Sequence, residues 1–293
     1  MYSLKNYFTS LGYSLRRTMT TTGLNTVEKK RLPVVYISHG GPNLVFEDTK
    51  PSRDLEKLGT KLSKLQPKAV VIFSAHWETY NHISVQNSPI NSLVYDFYGF
   101  PKHYYQVTYD SKGDSKISQR VEELLKKGGI EVTEEKKRGL DHGVWVPFTK
   151  MFPNPTFPII QVSLKAKGSM EEHVKVGQAL ASLRDEGVLL IGSGSAVHNL
   201  RDLGRYIGSN SPHFVVQFDK DLEDMCCNLQ GAKREKALCS LNIHPILRDA
   251  HPSIEHLIPI HVVAGAAGED KGVRVIDAMP YSTITWSAFA FGW

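Results

Sequence analysis

Residues 188–200 read VLLIGSGSAVHNL, and this stretch decides how the chain is read. Val188 to Ile191 is an apolar run with the length and composition of a buried strand. It runs into Gly192-Ser193-Gly194-Ser195 and then presents His198. Two other places repeat the pattern. Pro33 to Ile37 leads into Ser38-His39-Gly40-Gly41, and Ala69 to Phe73 leads into Ser74-Ala75-His76-Trp77. Open α/β sheets bind ligands outside the carboxyl ends of their strands. Three strands that each deliver a histidine just past their last residue therefore imply one shared site, and imidazole makes that a metal site.

The rest of the chain supplies alternating helices and strands. Leu55, Leu58, Leu62 and Leu65 set a helix over Ser52 to Leu65, stopped by Pro67, and a right-handed βαβ crossover follows. Helices are expected at Ile117–Lys127, before Gly128-Gly129, and at Glu171–Glu186, before Gly187. Phe214, Phe218, Leu222, Met225 and Leu229 mark a further helix with a core-facing stripe. More strands are expected at Pro158–Leu164, Val273–Ile276 and Ser282–Phe291. Gly139 to Pro147 reads as a shaped loop, and Pro259 starts or kinks a helix. With no repeat and no linker composition, one α/β domain is the simplest reading of 293 residues.

Charge is unevenly placed. Residues 1–31 hold six Lys or Arg against Glu28, which makes a +5 arm, while the remaining residues carry 29 basic and 29 acidic side chains. The main body thus has no basic excess to recruit nucleic acid. No apolar run has the length of a membrane span. The arm, free of Asp and Glu over Met1–Thr22, reads as a disordered arm on a cytoplasmic protein, or as an upstream start with Met19 as the real one, with a mitochondrial transit peptide, whose composition it has, as the alternative. Cys226, Cys227 and Cys239 make no disulfide framework or thiolate zinc motif.

Of the twelve histidines, His82, His103, His173, His213 and His244 take a structural reading, whereas His39, His76 and His198 follow strand ends. His256 sits in a dense Glu-His patch. Tyr95 to Tyr105 is rich in aromatics, which suits either loop packing or a wall for a flat ligand. No Gly-x-x-x-x-Gly-Lys and no Gly-x-Gly-x-x-Gly stands after the first strand, which disfavours a phosphate loop.

Taken together, Ser38-His39-Gly40-Gly41-Pro42, Ser74-Ala75-His76-Trp77, Leu140-Asp141-His142-Gly143, Gly192-Ser193-Gly194 through His198-Asn199-Leu200, and Glu255-His256-Leu257 resemble the class III (LigB-type) extradiol ring-cleavage dioxygenases, in their 4,5-DOPA dioxygenase-like branch. The resemblance covers residues 33–293. It implies a single α/β domain with a central mixed, largely parallel sheet flanked by helices, following a basic arm at 1–31. It also implies a non-haem metal held by His39, His76 and His256. His198 would be the acid/base histidine, counted among the ligands where zinc is held, and His142 would lie in the substrate pocket. Many extradiol enzymes use two histidines and a carboxylate. Here the third position is His256, which leaves the ligand set one charge more positive and suits both Fe(II) and Zn(II). The implied partners are a catechol and O2, with no nucleic acid and no membrane, in a monomer or small homo-oligomer. The rival readings are a zinc hydrolase, since three imidazoles and an open position also activate water, and a non-catalytic binding protein on the same fold. Ser193 and Ser195 do not form Gly-x-Ser-x-Gly, which disfavours a serine hydrolase.

Overall fold

The computed structural model describes residues 31–206, 210–277 and 282–293. The basic arm through residue 30 lies outside them, and so does its targeting reading. In chain order the elements are β1 (Val34–Ser38), α1 (Lys50–Ser63), β2 (Ala69–Thr79), β3 (Ile83–Gln86), α2 (Ser115–Lys127), β4 (Val132–Glu135), α3 (His142–Met151) and β5 (Ile159–Lys165). They continue with α4 (Met170–Leu180), β6 (Val188–Gly194), α5 (His213–Asn228), α6 (Gly231–Cys239), α7 (Leu247–Ala250), α8 (Pro259–Ala267), β7 (Gly272–Ile276) and β8 (Ala288–Phe291). No helix among the described residues is long and apolar enough to cross a membrane.

The strands form one sheet in the order β4-β3-β5-β2-β6-β1-β8-β7. Its centre, β5-β2-β6-β1, is parallel, whereas β3 pairs antiparallel with β5 and β8 pairs antiparallel with both β1 and β7. The expected mixed, largely parallel α/β sheet is present. β1 and β2 are not neighbours: β6 lies between them and pairs with both. Alternate side chains of each central strand serve opposite layers, because strand side chains have period two. Val34, Tyr36, Val71, Phe73, Val188 and Leu190 face a core shared with α2, α4, α5, α6 and α8. Val35, Ile37, Val70, Ile72, Leu189 and Ile191 face the core under α1 and α3.

Several boundaries moved for local reasons. α1 starts two residues before Ser52, capped by the Thr49 side chain on Ser52 N–H. α4 ends as an α-helix at Leu180 and tightens into a 3-10 turn through Arg184. The stretch Gly139–Pro147 is not all loop: α3 begins at His142 and contains Pro147. The strand expected over Ser282–Phe291 is confined to Ala288–Phe291. Upstream of it, backbone bonds Asn199 N–H to Thr283 O (3.1 Å) and Thr285 N–H to Val197 O (3.2 Å) brace the loop that carries His198. α8 starts at Pro259, where the missing N–H is harmless.

Candidate metal centre

Three adjacent parallel strands, β2, β6 and β1, reach the site. His39 follows β1 directly, and its N–H bonds Gly194 O at 3.0 Å. His76 does not follow the end of its strand, as the sequence pattern predicts, but lies within β2, which runs on to Thr79. Pairing with β6 stops at Ser74, and the register against β5 shifts between Phe73 and Glu78, so the irregular segment re-aims His76. β6 likewise runs through the Gly-Ser-Gly to Gly194. His256 stands in the turn before α8, its carbonyl taken by Tyr36 Oη–H and Ser195 N–H, both at 3.0 Å. That approach needs glycine at 194, where a Cβ would stand 2.0 Å from His256 O. His142 opens α3. A Cβ on Gly143 would stand 2.4 Å from Ser74 Oγ and 3.0 Å from His76 Cδ2, so its absence lets this helix start against β2.

The imidazoles converge through one type of atom. His76 Nε2 lies 3.1 Å from His39 Nε2 and 3.2 Å from His256 Nε2. On the far side of each ring an oxygen faces Nδ1: Ser193 Oγ at 3.0 Å for His39, Glu255 Oε1 at 3.0 Å for His256, and Asp96 Oδ2 at 3.7 Å for His76. The tautomer of His39 follows from a proline. Pro147 has no N–H for the carbonyl of Gly143, four residues before it. That carbonyl instead takes the Ser193 hydroxyl proton at 2.5 Å. Ser193 Oγ must then accept from His39 Nδ1–H, which leaves Nε2 with its lone pair. Glu255, as a carboxylate, sets His256 the same way.

Lone pairs facing one another at 3.1–3.2 Å repel unless a cation or a proton sits among them. Nitrogens that share one ion at about 2.1 Å stand roughly 3.0–3.4 Å apart, so the donor set fits a transition metal. Outer oxygens on Nδ1 are the usual support of metal-bound histidine. Burial, and then the neighbouring imidazoles, hold His39 and His256 well below the usual histidine pKa. Burial likewise brings His76 to about 3 and His198 to about 4. All four are thus neutral ligand-type imidazoles at pH 7. Burial raises the Asp96 carboxyl, but its bonds to His142 outweigh that and hold it below the usual range. Asp96 and Glu255 place negative charge just behind the ring nitrogens, which offsets the extra positive charge of a three-histidine ligand set.

The remaining sequence-predicted residues are also here. The His198 ring lies on that of His256, centroids 3.6 Å apart and planes 10° from parallel. His142 packs against His76 with centroids 3.9 Å apart and planes tilted by 44°, and gives both its N–H and Nδ1–H to Asp96 Oδ1, at 3.0 and 2.9 Å. Two sets of donor atoms gather within 4.8 Å: His39, His76 and His142, and His198, Glu255 and His256. The Nε2 contacts join His39, His76 and His256 across these sets, whereas His198 meets His256 face to face and His142 meets His76 at a tilt of 44°. Of the aromatic stretch, Phe97 meets the His142 ring edge-on at 5.9 Å and Tyr95 meets Trp145 at 5.8 Å, so packing and site wall coincide. Sequence reading missed two supports. In sequence Ser193 reads only as a candidate nucleophile, and Asp96 stands among aromatics, although it is the only acid in residues 79–109.

Residues 33–292 match the family model described as the catalytic LigB subunit of aromatic ring-opening dioxygenase. The chain is 41% identical over 243 residues to the 4,5-DOPA dioxygenase extradiol of Beta vulgaris, covering 82% of this chain and 89% of that one. It is 35% identical over 267 residues to the 4,5-DOPA dioxygenase extradiol-like protein of Schizosaccharomyces pombe, covering 85% and 89%. A crystal structure of an uncharacterized Escherichia coli K12 protein superposes with a TM-score of 0.75 at 29% identity, over 89% of this chain and 99% of the other.

Proposed function

The chain belongs to the LigB family of aromatic ring-opening dioxygenases and is an extradiol ring-cleavage enzyme; from that premise we propose that it opens a DOPA-like catechol with O2 at a non-haem metal held by His39, His76 and His256. The observation that carries this is the convergence of three Nε2 atoms whose Nδ1 positions each face an oxygen. Fe(II) is the metal for activity, and Zn(II) suits the same nitrogens. When bound, the iron supplies Lewis acidity toward the diol and the electrons that activate O2, so that both oxygen atoms enter the product.

The chain's own residues do the rest. His198 takes the proton from a catechol hydroxyl and returns one when the ring opens, which a neutral imidazole is suited to do. Its stacking on His256 supports a place beside the metal. An imidazole ligates in its ring plane, and two nearly parallel planes do not meet at one ion. His142 faces the substrate, and Phe97 walls its edge and keeps water away. Residues 32–293 form the catalytic domain, cytoplasmic in this reading, with mitochondrial delivery through arm 1–31 as the alternative. Turnover of a DOPA-like catechol under isotopically labelled O2, followed by mass spectrometry, tests the function: both labelled atoms belong in a ring-opened product. A hydrolysed or unchanged catechol would favour the zinc hydrolase or the binding protein.

A further inference from the structure

We propose that Asp96 is a positioning residue that sets the tautomers of His76 and His142 together and thereby ties the aromatic segment 95–105 to the metal centre. The role toward a metal rests on the functional reading above; the role toward His142 stands on its two hydrogen bonds, and that toward His76 on the 3.7 Å contact. One carboxylate serves both histidines. Its Oδ1 accepts from the backbone N–H and from Nδ1 of His142, at 3.0 and 2.9 Å. Its Oδ2 faces His76 Nδ1 at 3.7 Å, an electrostatic contact rather than a full hydrogen bond. An ionised carboxylate only accepts, so His142 must carry its proton on Nδ1, and an anion at that distance favours the same for His76. His76 then turns a lone pair at Nε2 toward the centre, where Nε2 of His39 and of His256 lie 3.1 and 3.2 Å away. The His76 and His142 rings are in tilted contact, centroids 3.9 Å apart, so a change in either one reaches the other.

The same residue is anchored in the loop. Tyr95 donates its hydroxyl to Val107 O at 2.7 Å and packs on Trp145, while Phe97 packs on His142 and on Tyr105 at 5.0 Å. Asp96 stands between these two aromatic anchors, so the wall that meets a flat substrate and the rings that meet the metal share one fixed point. A purely structural acid at this place would need only the His142 backbone N–H. The second oxygen, turned to His76, is what a positioning role requires.

Asp96→Asn separates the two roles. The amide is isosteric, and its oxygen can keep the His142 bonds. Its NH2 then faces His76 Nδ1 and favours a lone pair there, which moves the His76 proton to Nε2. Ring nitrogen-15 NMR of the metal-free protein is expected to show Nδ1–H at both histidines in the wild type and Nε2–H at His76 in the variant. Zn(II) affinity, read by competition with a chelating dye, is expected to fall about 10- to 100-fold. Unchanged tautomers with unchanged affinity would overturn the proposal, as would lost thermal stability at wild-type affinity. If the variant does not fold, the wild-type spectrum decides, since Nε2–H at either ring contradicts the assignment. A wild type that binds no Zn(II) would instead sink the metal reading, and the tautomers would still judge Asp96.

Discussion

Gly143 O accepts the hydroxyl proton of Ser193 at 2.5 Å, across fifty residues of sequence. The bond exists because Pro147 cannot supply the helical N–H, and its consequence is the tautomer of His39. Ser193→Ala removes the oxygen on His39 Nδ1. The expected result is a fall in metal affinity of about 10- to 100-fold, with the fold retained. Metal titration of the two proteins, with circular dichroism as the control, checks it. Wild-type affinity in the variant would mean that the hydroxyl does not orient His39.

His198 and His256 stack with their planes 10° apart, which sets the proposed proton carrier apart from the proposed ligands. His198→Gln is therefore expected to bind metal within a few-fold of wild type while kcat falls about 10²- to 10⁴-fold, the usual worth of general acid–base catalysis. Metal content and oxygen uptake on the same sample decide it. Loss of stoichiometric metal would place His198 among the ligands instead.

How far these relations were legible in sequence depends on their range. Strand-to-histidine junctions are local, so the sequence pattern alone brings His39, His76 and His198 to one edge of the sheet. β6 was legible to Ile191 but runs to Gly194, because its glycines are there to let the His256 turn approach. α3 was not legible. Gly143, Pro147 and two β-branched valines argue against a helix, and tertiary burial overrides that local preference. Asp96 and Ser193 act across dozens of residues, so no local pattern marks them.

Gly194 lets the His256 turn approach β6 closely. Gly194→Ala would put a methyl 2.0 Å from His256 O, where only backbone can yield. We expect a stability loss of roughly 1–3 kcal/mol together with weaker metal binding, since the displaced turn carries the proposed ligand His256. Urea unfolding and metal titration test the pair. A stability loss at unchanged affinity would mean that the turn relaxes without moving the imidazole.

Acid is expected to loosen the fold through histidines outside the site as well. His173 gives Nδ1–H to Ser169 O at 2.8 Å and accepts Lys165 N–H at Nε2, 3.1 Å away, so only its neutral form suits both. Burial lowers its pKa, against smaller opposing effects of Ser169 and Glu172, and brings buried His261 to about 4. Below about pH 6.5 the unfolded chain takes up protons that the folded chain refuses, so stability falls by up to ~1.4 kcal/mol per pH unit for each such group until its folded pKa is reached. Urea midpoints of metal-free protein between pH 7 and pH 5 should drop, and less steeply in His173→Gln. Identical slopes would rule out His173 as a contributor.

The central claim is best tested by oxygen uptake with a panel of catechols, on protein reconstituted anaerobically with Fe(II) and, separately, with Zn(II). The account predicts uptake with iron alone, accompanied by a yellow ring-opened product, and none after His39→Ala or His256→Ala. Stoichiometric iron at His39, His76 and His256 with no uptake on any catechol would contradict it.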